Sequence, residues 1–200
     1  MEKVPQNGFT LLELMVTILI IAIVTTLAVP AMSDLVKNNR LTSAINDFIA
    51  STTLARSEAI KRRAPVTVCI SDDPLAAAPV CDTNAGGQWE TGWVVFSDTD
   101  GDAVIDAGET LLQQHAPLDA SVEIRTDAVL AEYVSFSSSG QTRDIAGVSV
   151  TGDLVFCDDR GITDTGDGVS TARAITLSRT GRPQSLSKQA AIVGTEVGCP

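Results

Sequence analysis

Five carboxylates within twelve residues give this chain its one metal-like pattern. In Asp98-Thr99-Asp100-Gly101-Asp102-Ala103-Val104-Ile105-Asp106-Ala107-Gly108-Glu109 they stand at positions 1, 3, 5, 9 and 12. That spacing wraps oxygen ligands around one Ca²⁺, with the Val104 carbonyl at position 7. Position 6 calls for glycine at the sharp turn but is Ala103, and the flanks read as strands rather than the helices of an EF-hand. The other reading is an Asp/Gly-rich connection between two strands, and from sequence both stand. Asp98, Asp100, Asp102, Val104, Asp106 and Glu109 are the candidate ligands, and Ca²⁺ is the one cofactor they suggest. A single residue carries a different chemistry. Glu13 is the only charged side chain between Phe9 and Val29. A carboxylate at membrane depth is costly, so it marks function and needs a partner.

The remaining reactive groups are few. Cys69, Cys81, Cys157 and Cys199 include no Cys-x-x-Cys, and the chain has one histidine, His115, so the spacing does not fit zinc. An even count points to disulfides in an oxidising compartment. Four cysteines allow three connectivities. We favour Cys69–Cys81, which closes a short loop, and Cys157–Cys199, which ties down the tail. His115 stands without an identifiable Ser or Cys nucleophile and reads as a surface or satisfied core residue. No phosphate loop, metalloprotease helix or serine-hydrolase elbow is present, so an enzyme is not expected.

These groups must be positioned by a strongly divided chain. Its 200 residues suggest one domain plus an appendage. From Ala64 onward there are 20 acids and 7 bases, net −13, whereas residues 31–63 carry 3 acids and 6 bases, net +3. An acidic head argues against broad binding to phosphate backbones, which needs Lys and Arg clusters. The run Phe9–Val29 has the roughly 20 residues that a bilayer-spanning helix needs. Pro30 removes a helical hydrogen bond and predicts a kink, and Thr25 and Thr26 can bond back to carbonyls before it.

Beyond the proline, Leu41, Ile45, Phe48, Thr52, Ala55 and Ala59 recur at steps of three and four, a seam on one helical face. Asn38-Asn39 is expected to loosen the helix, which should end at Arg62-Arg63 before Pro65. After Pro65 the period becomes two. Strands are predicted at 66–70, 93–97, 110–114, 122–125, 133–137, 154–157, 174–178 and 183–187, separated by Gly, Asp, Asn and Pro clusters. The predicted class is α+β: a long N-terminal membrane-spanning helix whose amphipathic half packs on an antiparallel β-sheet or β-sandwich head.

Gly8-Phe9-Thr10-Leu11 with Glu13 and the apolar run to Pro30 resembles the N-terminal signal of type IV pilins and type II secretion pseudopilins. The resemblance implies a membrane peptidase that cuts after Gly8 and methylates Phe9. It also implies that Glu13 of one copy neutralises the Phe9 amine of another during assembly. The domains would then be a leader (1–8), a transmembrane helix (9–29), an amphipathic helix (30–63) and a β-rich periplasmic head (64–200).

A narrower resemblance rests on Asn39-Arg40-Leu41, on 55–62, on Val66-Thr67-Val68-Cys69, on 89–96 and on Ser178-Arg179-Thr180-Gly181-Arg182. There the chain is similar to the FimU/FimT minor pilins and to type II secretion pseudopilin H (GspH). This implies a single-pass protein of the bacterial inner membrane, later in a pilus or pseudopilus. Its implied partners are other minor pilins or pseudopilins, the major pilin, the prepilin peptidase and the inner-membrane assembly platform. Some FimT-type pilins bind DNA through a basic Gly-Arg-x-Arg segment. Here Gly181-Arg182-Pro183-Gln184 lacks the second arginine, which leaves Arg179, Arg182 and Lys188 as the candidate DNA contacts. The alternative is a strand-turn-strand with solvated arginines.

Overall fold

The computed structural model describes residues 8–82, 88–193, 195 and 197–199, except for the side chains at 27, 30 and 31. The expected leader, residues 1–8, therefore lies outside the described residues apart from Gly8. Two units are resolved by their contacts, Met1–Asn39 and Arg40–Pro200.

A single helix, α1, runs Leu11–Arg62, joining the segments read separately as 9–29 and 30–63. Thr10 caps its start, its Oγ1 accepting the Glu13 N–H at 3.2 Å. Thr25 and Thr26 do bond back, to Ile21 O at 2.9 Å and to Ile23 O at 2.8 Å. The backbone stays helical through position 30 and through Asn38-Asn39, so the loosening expected at the asparagines is not seen. A proline's fixed φ is itself helical, and it removes only one hydrogen bond. Among the described residues no helix is long and apolar enough to cross a membrane. Lys61 and Arg62 occupy the last turn, and Arg63 turns left-handed at φ 55°, which ends the helix before Pro65.

Among the described residues of the unit from Arg40 onward, nine strands form two antiparallel sheets. The strands are β1 (Val66–Ile70), β2 (Trp93–Ser97), β3 (Leu111–His115), β4 (Glu123–Thr126), β5 (Tyr133–Phe136), β6 (Thr142–Arg143), β7 (Gly152–Cys157), β8 (Val169–Leu177) and β9 (Pro183–Lys188). A short helix, α2 (Gln189–Val193), follows. The sheet orders are β3-β2-β1-β5-β6 and β4-β7-β8-β9. All eight predicted strands are present within a few residues. Two-residue β6 and five-residue α2 are too short to leave a periodic signal. The start of β8 was missed because its register slips between Val169 and Ala174.

The helical seam is what both sheets close on. Leu41, Ile45, Phe48, Thr52, Ala55 and Ala59 are all buried. Phe48 meets Trp89, Trp93 and Phe156 edge-on, at ring distances of 5.1, 5.5 and 6.0 Å. Strand alternation supplies the rest of this core. Val66, Val68 and Ile70 face it from β1, and Leu154 and Phe156 face it from β7. Both indole N–H groups find acceptors, Trp89 at Leu130 O and Trp93 at Ser51 Oγ, each at 2.9 Å.

Candidate functional site

The N-terminal residues come first in any assembly chemistry. Phe9 is 78% exposed, and Glu13 is exposed in the first turn of α1, where the positive pole of the helix favours a carboxylate. No described group pairs with the Glu13 carboxylate. It stands four positions after Phe9.

The two disulfides join the pairs that spacing favoured, Cys69–Cys81 and Cys157–Cys199. The first pins the loop after β1 against the outward face of β1 and β2, beside Val94 and Phe96.

The acidic loop is organised by its first residue. Asp98 is fully buried, whereas Asp100 and Asp102 are exposed, and one carboxylate oxygen from each of the three lies within 4.8 Å of the others. Asp106 and Glu109 stand outside that group. Glu109 instead accepts the Thr99 N–H at 2.6 Å and the Asp106 N–H at 3.1 Å, closing the loop on itself. The Val104 N–H donates to Asp102 Oδ1 at 2.8 Å. Ala103 makes the sharp turn without glycine, at φ 64°. The Asp98 oxygens receive N–H groups from Gly101 (2.7 Å), Asp102 (3.1 Å) and Ala103 (3.2 Å), and the Thr67 hydroxyl at 2.6 Å. Four donors satisfy this carboxylate without an ion, the geometry of a turn-forming aspartate.

The candidate DNA contacts are not brought together. Arg179 and Arg182 are exposed in the β8–β9 turn, but Lys188 ends β9. Six residues of strand at ~3.3 Å each place it roughly 20 Å from Arg182. Strand direction, invisible in composition, separates them.

One constellation escaped the sequence reading. The β5–β6 turn and the β8–β9 turn have the same build, with the Gly140 N–H on Ser137 O and the Gly181 N–H on Ser178 O, both at 2.8 Å. In each a hydroxyl pair braces the turn at 2.9 Å, Ser137 with Ser139 and Ser178 with Thr180. Gly181 lies directly against the Gly140 carbonyl, and Arg56 Nε of α1 donates to that same carbonyl at 2.9 Å. The two sheets and the helix are thus fastened at one corner. The repeated Ser-x-Ser/Thr-Gly at 137–140 and 178–181 was the available signal.

A cleft of about 250 Å³ lies between α1 and the chain after β3, lined among others by Arg40, Asp47, His115 and Asp119. His115 is stacked flat on Trp93 at 3.9 Å. The Ser121 hydroxyl and amide, and then the Arg40 guanidinium at 3.0 Å, hold the Asp119 carboxyl below its ordinary range.

The model of the family described as type II transport protein GspH matches residues 44–181, and the prokaryotic N-terminal methylation motif matches residues 4–29. This chain belongs to the GspH family. It is a minor pilin or pseudopilin, with the pilin-like α+β fold predicted. Similar solved structures include the type IV minor pilin FimU of Pseudomonas aeruginosa, at 21% identity over 76% of this chain and 91% of that one, TM-score 0.50. The minor pseudopilin EpsH of Vibrio cholerae is similar at 10% identity over 76% of this chain and 98% of that one, TM-score 0.47. No curated protein matches the chain significantly.

In this GspH-family head, the GspH match ends at Gly181, the glycine of the second corner turn. It also contains the whole acidic loop, so the two readings of that loop can be separated on the same protein. Asp98→Ala leaves three amides and a hydroxyl without their acceptor and should cost about 3 kcal/mol or more. For a chain of this size that lowers the melting midpoint by roughly 6–12 °C. If a resident Ca²⁺ matters, the parent will melt higher in millimolar calcium than in chelator, by the mass-action term for a ligand of the folded state. Equal midpoints establish the plain turn.

Proposed function

We propose that this chain is an assembly subunit of a type IV pilus or a type II secretion pseudopilus. Segment 9–29 would anchor it in the bacterial inner membrane, with residues 64–200 as a periplasmic head. The reading is supported by one observation above all: a single chain carries the methylation motif over 4–29 and the GspH match over 44–181. Cleavage after Gly8 frees the Phe9 amine, and methylation leaves it cationic. In lipid an unpaired amine and an unpaired carboxylate are both unfavourable. Pairing Phe9 of one copy with Glu13 of a neighbour removes both penalties and rewards assembly over the lone inserted subunit. Other minor subunits and the major pilin are the partners of that step, and the prepilin peptidase and the inner-membrane platform act before it. The DNA-binding alternative is not carried further, because Lys188 lies a strand's length from the two arginines of the turn.

The test is the mature mass. Intact-mass analysis of the chain from cells containing the peptidase should show loss of residues 1–8 and gain of one methyl group. An uncut chain, or cleavage near Ala28, refutes the reading.

A further inference from the structure

The outer face of the second sheet has a small core of its own, and its cover is the end of the chain. Alternation along β7 sends Leu154 and Phe156 into the main core and Val155 and Cys157 to the opposite face. Ala172 and Ala174 of β8 join them there, with Leu186 of β9 at the margin. Ile192 and Val197 close this face from the C-terminal segment.

The support of that segment is thin. The Gln189 N–H bonds to Gly168 O at 3.0 Å, and the Thr195 N–H bonds only within the segment, to Ile192 O at 3.0 Å. Among the described residues no backbone hydrogen bond ties 195–199 to a strand. Among the described residues, what remains is the packing of α2 on β8 and β9, the buried Ile192 and Val197 side chains and the Cys157–Cys199 bridge. Ordering each residue of 189–199 costs backbone entropy, and two side chains bury too little surface to offset that along the whole segment. The bridge changes the balance because it keeps the segment beside its site in every conformation.

We propose that the described tail residues 189–193, 195 and 197–199 form a redox-latched strap, which the Cys157–Cys199 bridge holds over an apolar face made by Val155, Ala172, Ala174 and Leu186. A dithiol reductant opens the latch. It passes two electrons and two protons to the bridge, leaving thiols on Cys157 and Cys199, and departs as its own disulfide. The strap then detaches and the face is exposed. Cys69–Cys81 has no part in this, because it braces the outer face of the other sheet. Coverage of the face therefore reports the thiol state of the head: closed when oxidised, open when reduced.

Lys188 provides the readout. It is exposed, ends β9 immediately before α2, and is the last basic residue of the chain. Trypsin acts on the Lys188–Gln189 bond of the full chain in detergent micelles only when the strap opens. Mass spectrometry after quenching and reduction counts the peptide 189–200. Its rate of formation should rise at least ~10-fold over the oxidised parent both in Cys157→Ser/Cys199→Ser and in parent treated with dithiothreitol, since cleavage tracks the open population. Cys69→Ser/Cys81→Ser should remain at the parent rate. Hydrogen exchange should quicken over 189–199 while β1 and β2 keep their protection. Equal cleavage rates in the latched and unlatched chains overturn the proposal. So does joint loss of protection in β1, β2 and the tail, which would make the bridge a support of the whole head. If the double variant does not fold, the parent, folded before dithiothreitol is added, decides the same question.

Discussion

Glu13→Val should leave the chain inserted, cleaved after Gly8 and folded in its head, and yet nearly absent from sheared fibres. Glu13 sits in the first turn of α1 with no described partner for its carboxylate, and valine relieves the lone inserted subunit of an unpaired charge in lipid. Residence in the bilayer should therefore hold or improve. What the variant lacks is the reason to leave that state. A carboxylate at the centre of a spanning helix costs ~2.5–3.5 kcal/mol and one nearer the end costs less, so cancelling the Glu13 penalty shifts an assembly equilibrium by up to roughly 100-fold. Glu13→Gln keeps the shape and loses the charge, so it should be nearly as defective. The measurements are recovery in sheared fibres and copurification with other minor subunits, with the mature N-terminus checked in the same samples. Incorporation of Glu13→Val at the parental level would show that charge pairing is not the assembly mechanism here.

Gly181→Ala should be the most damaging single methyl group in the head. Gly181 has φ +72°, a region that L side chains rarely adopt, and a Cβ there would fall on the Gly140 carbonyl oxygen, well inside van der Waals contact. That oxygen cannot retreat freely, because it also accepts Arg56 Nε. Backbone strain and overpacking together should cost about 2–4 kcal/mol, lowering the melting midpoint by roughly 5–15 °C. Gly108→Ala is the control. Its φ is +104°, but nothing lies within 4 Å of the new methyl, so only the conformational cost of ~1 kcal/mol remains. Similar melting losses for the two variants would mean that the corner does not fasten the sheets to the helix.

Much of this protein is legible in its residues, for a local reason. The seam from Leu41 to Ala59 follows from helical period, and the strands follow from alternation and turn residues, both of which act over a few positions. The acidic loop shows where such reading stops. Its carboxylate spacing admits an ion, but Asp98 also reaches Thr67, thirty-one positions away, and that contact depends on β1 lying beside β2. Spacing lists the donors within a segment but not the ones another strand brings to it.

By itself the sequence determined the signal at Gly8 and Phe9, the place of Glu13, the α+β class and the helical face that would be buried, while it left three cysteine connectivities open. What it determined depends on residue type and period, which are properties of neighbours in the chain. Only the tertiary structure decided that Lys188 stands apart from Arg182, that the corner turns meet through Gly140, Gly181 and Arg56, and that the tail closes a second core around Cys157. Each of these depends on strand direction and sheet order, and they are settled when distant segments pack together to bury apolar surface and pair their backbone groups.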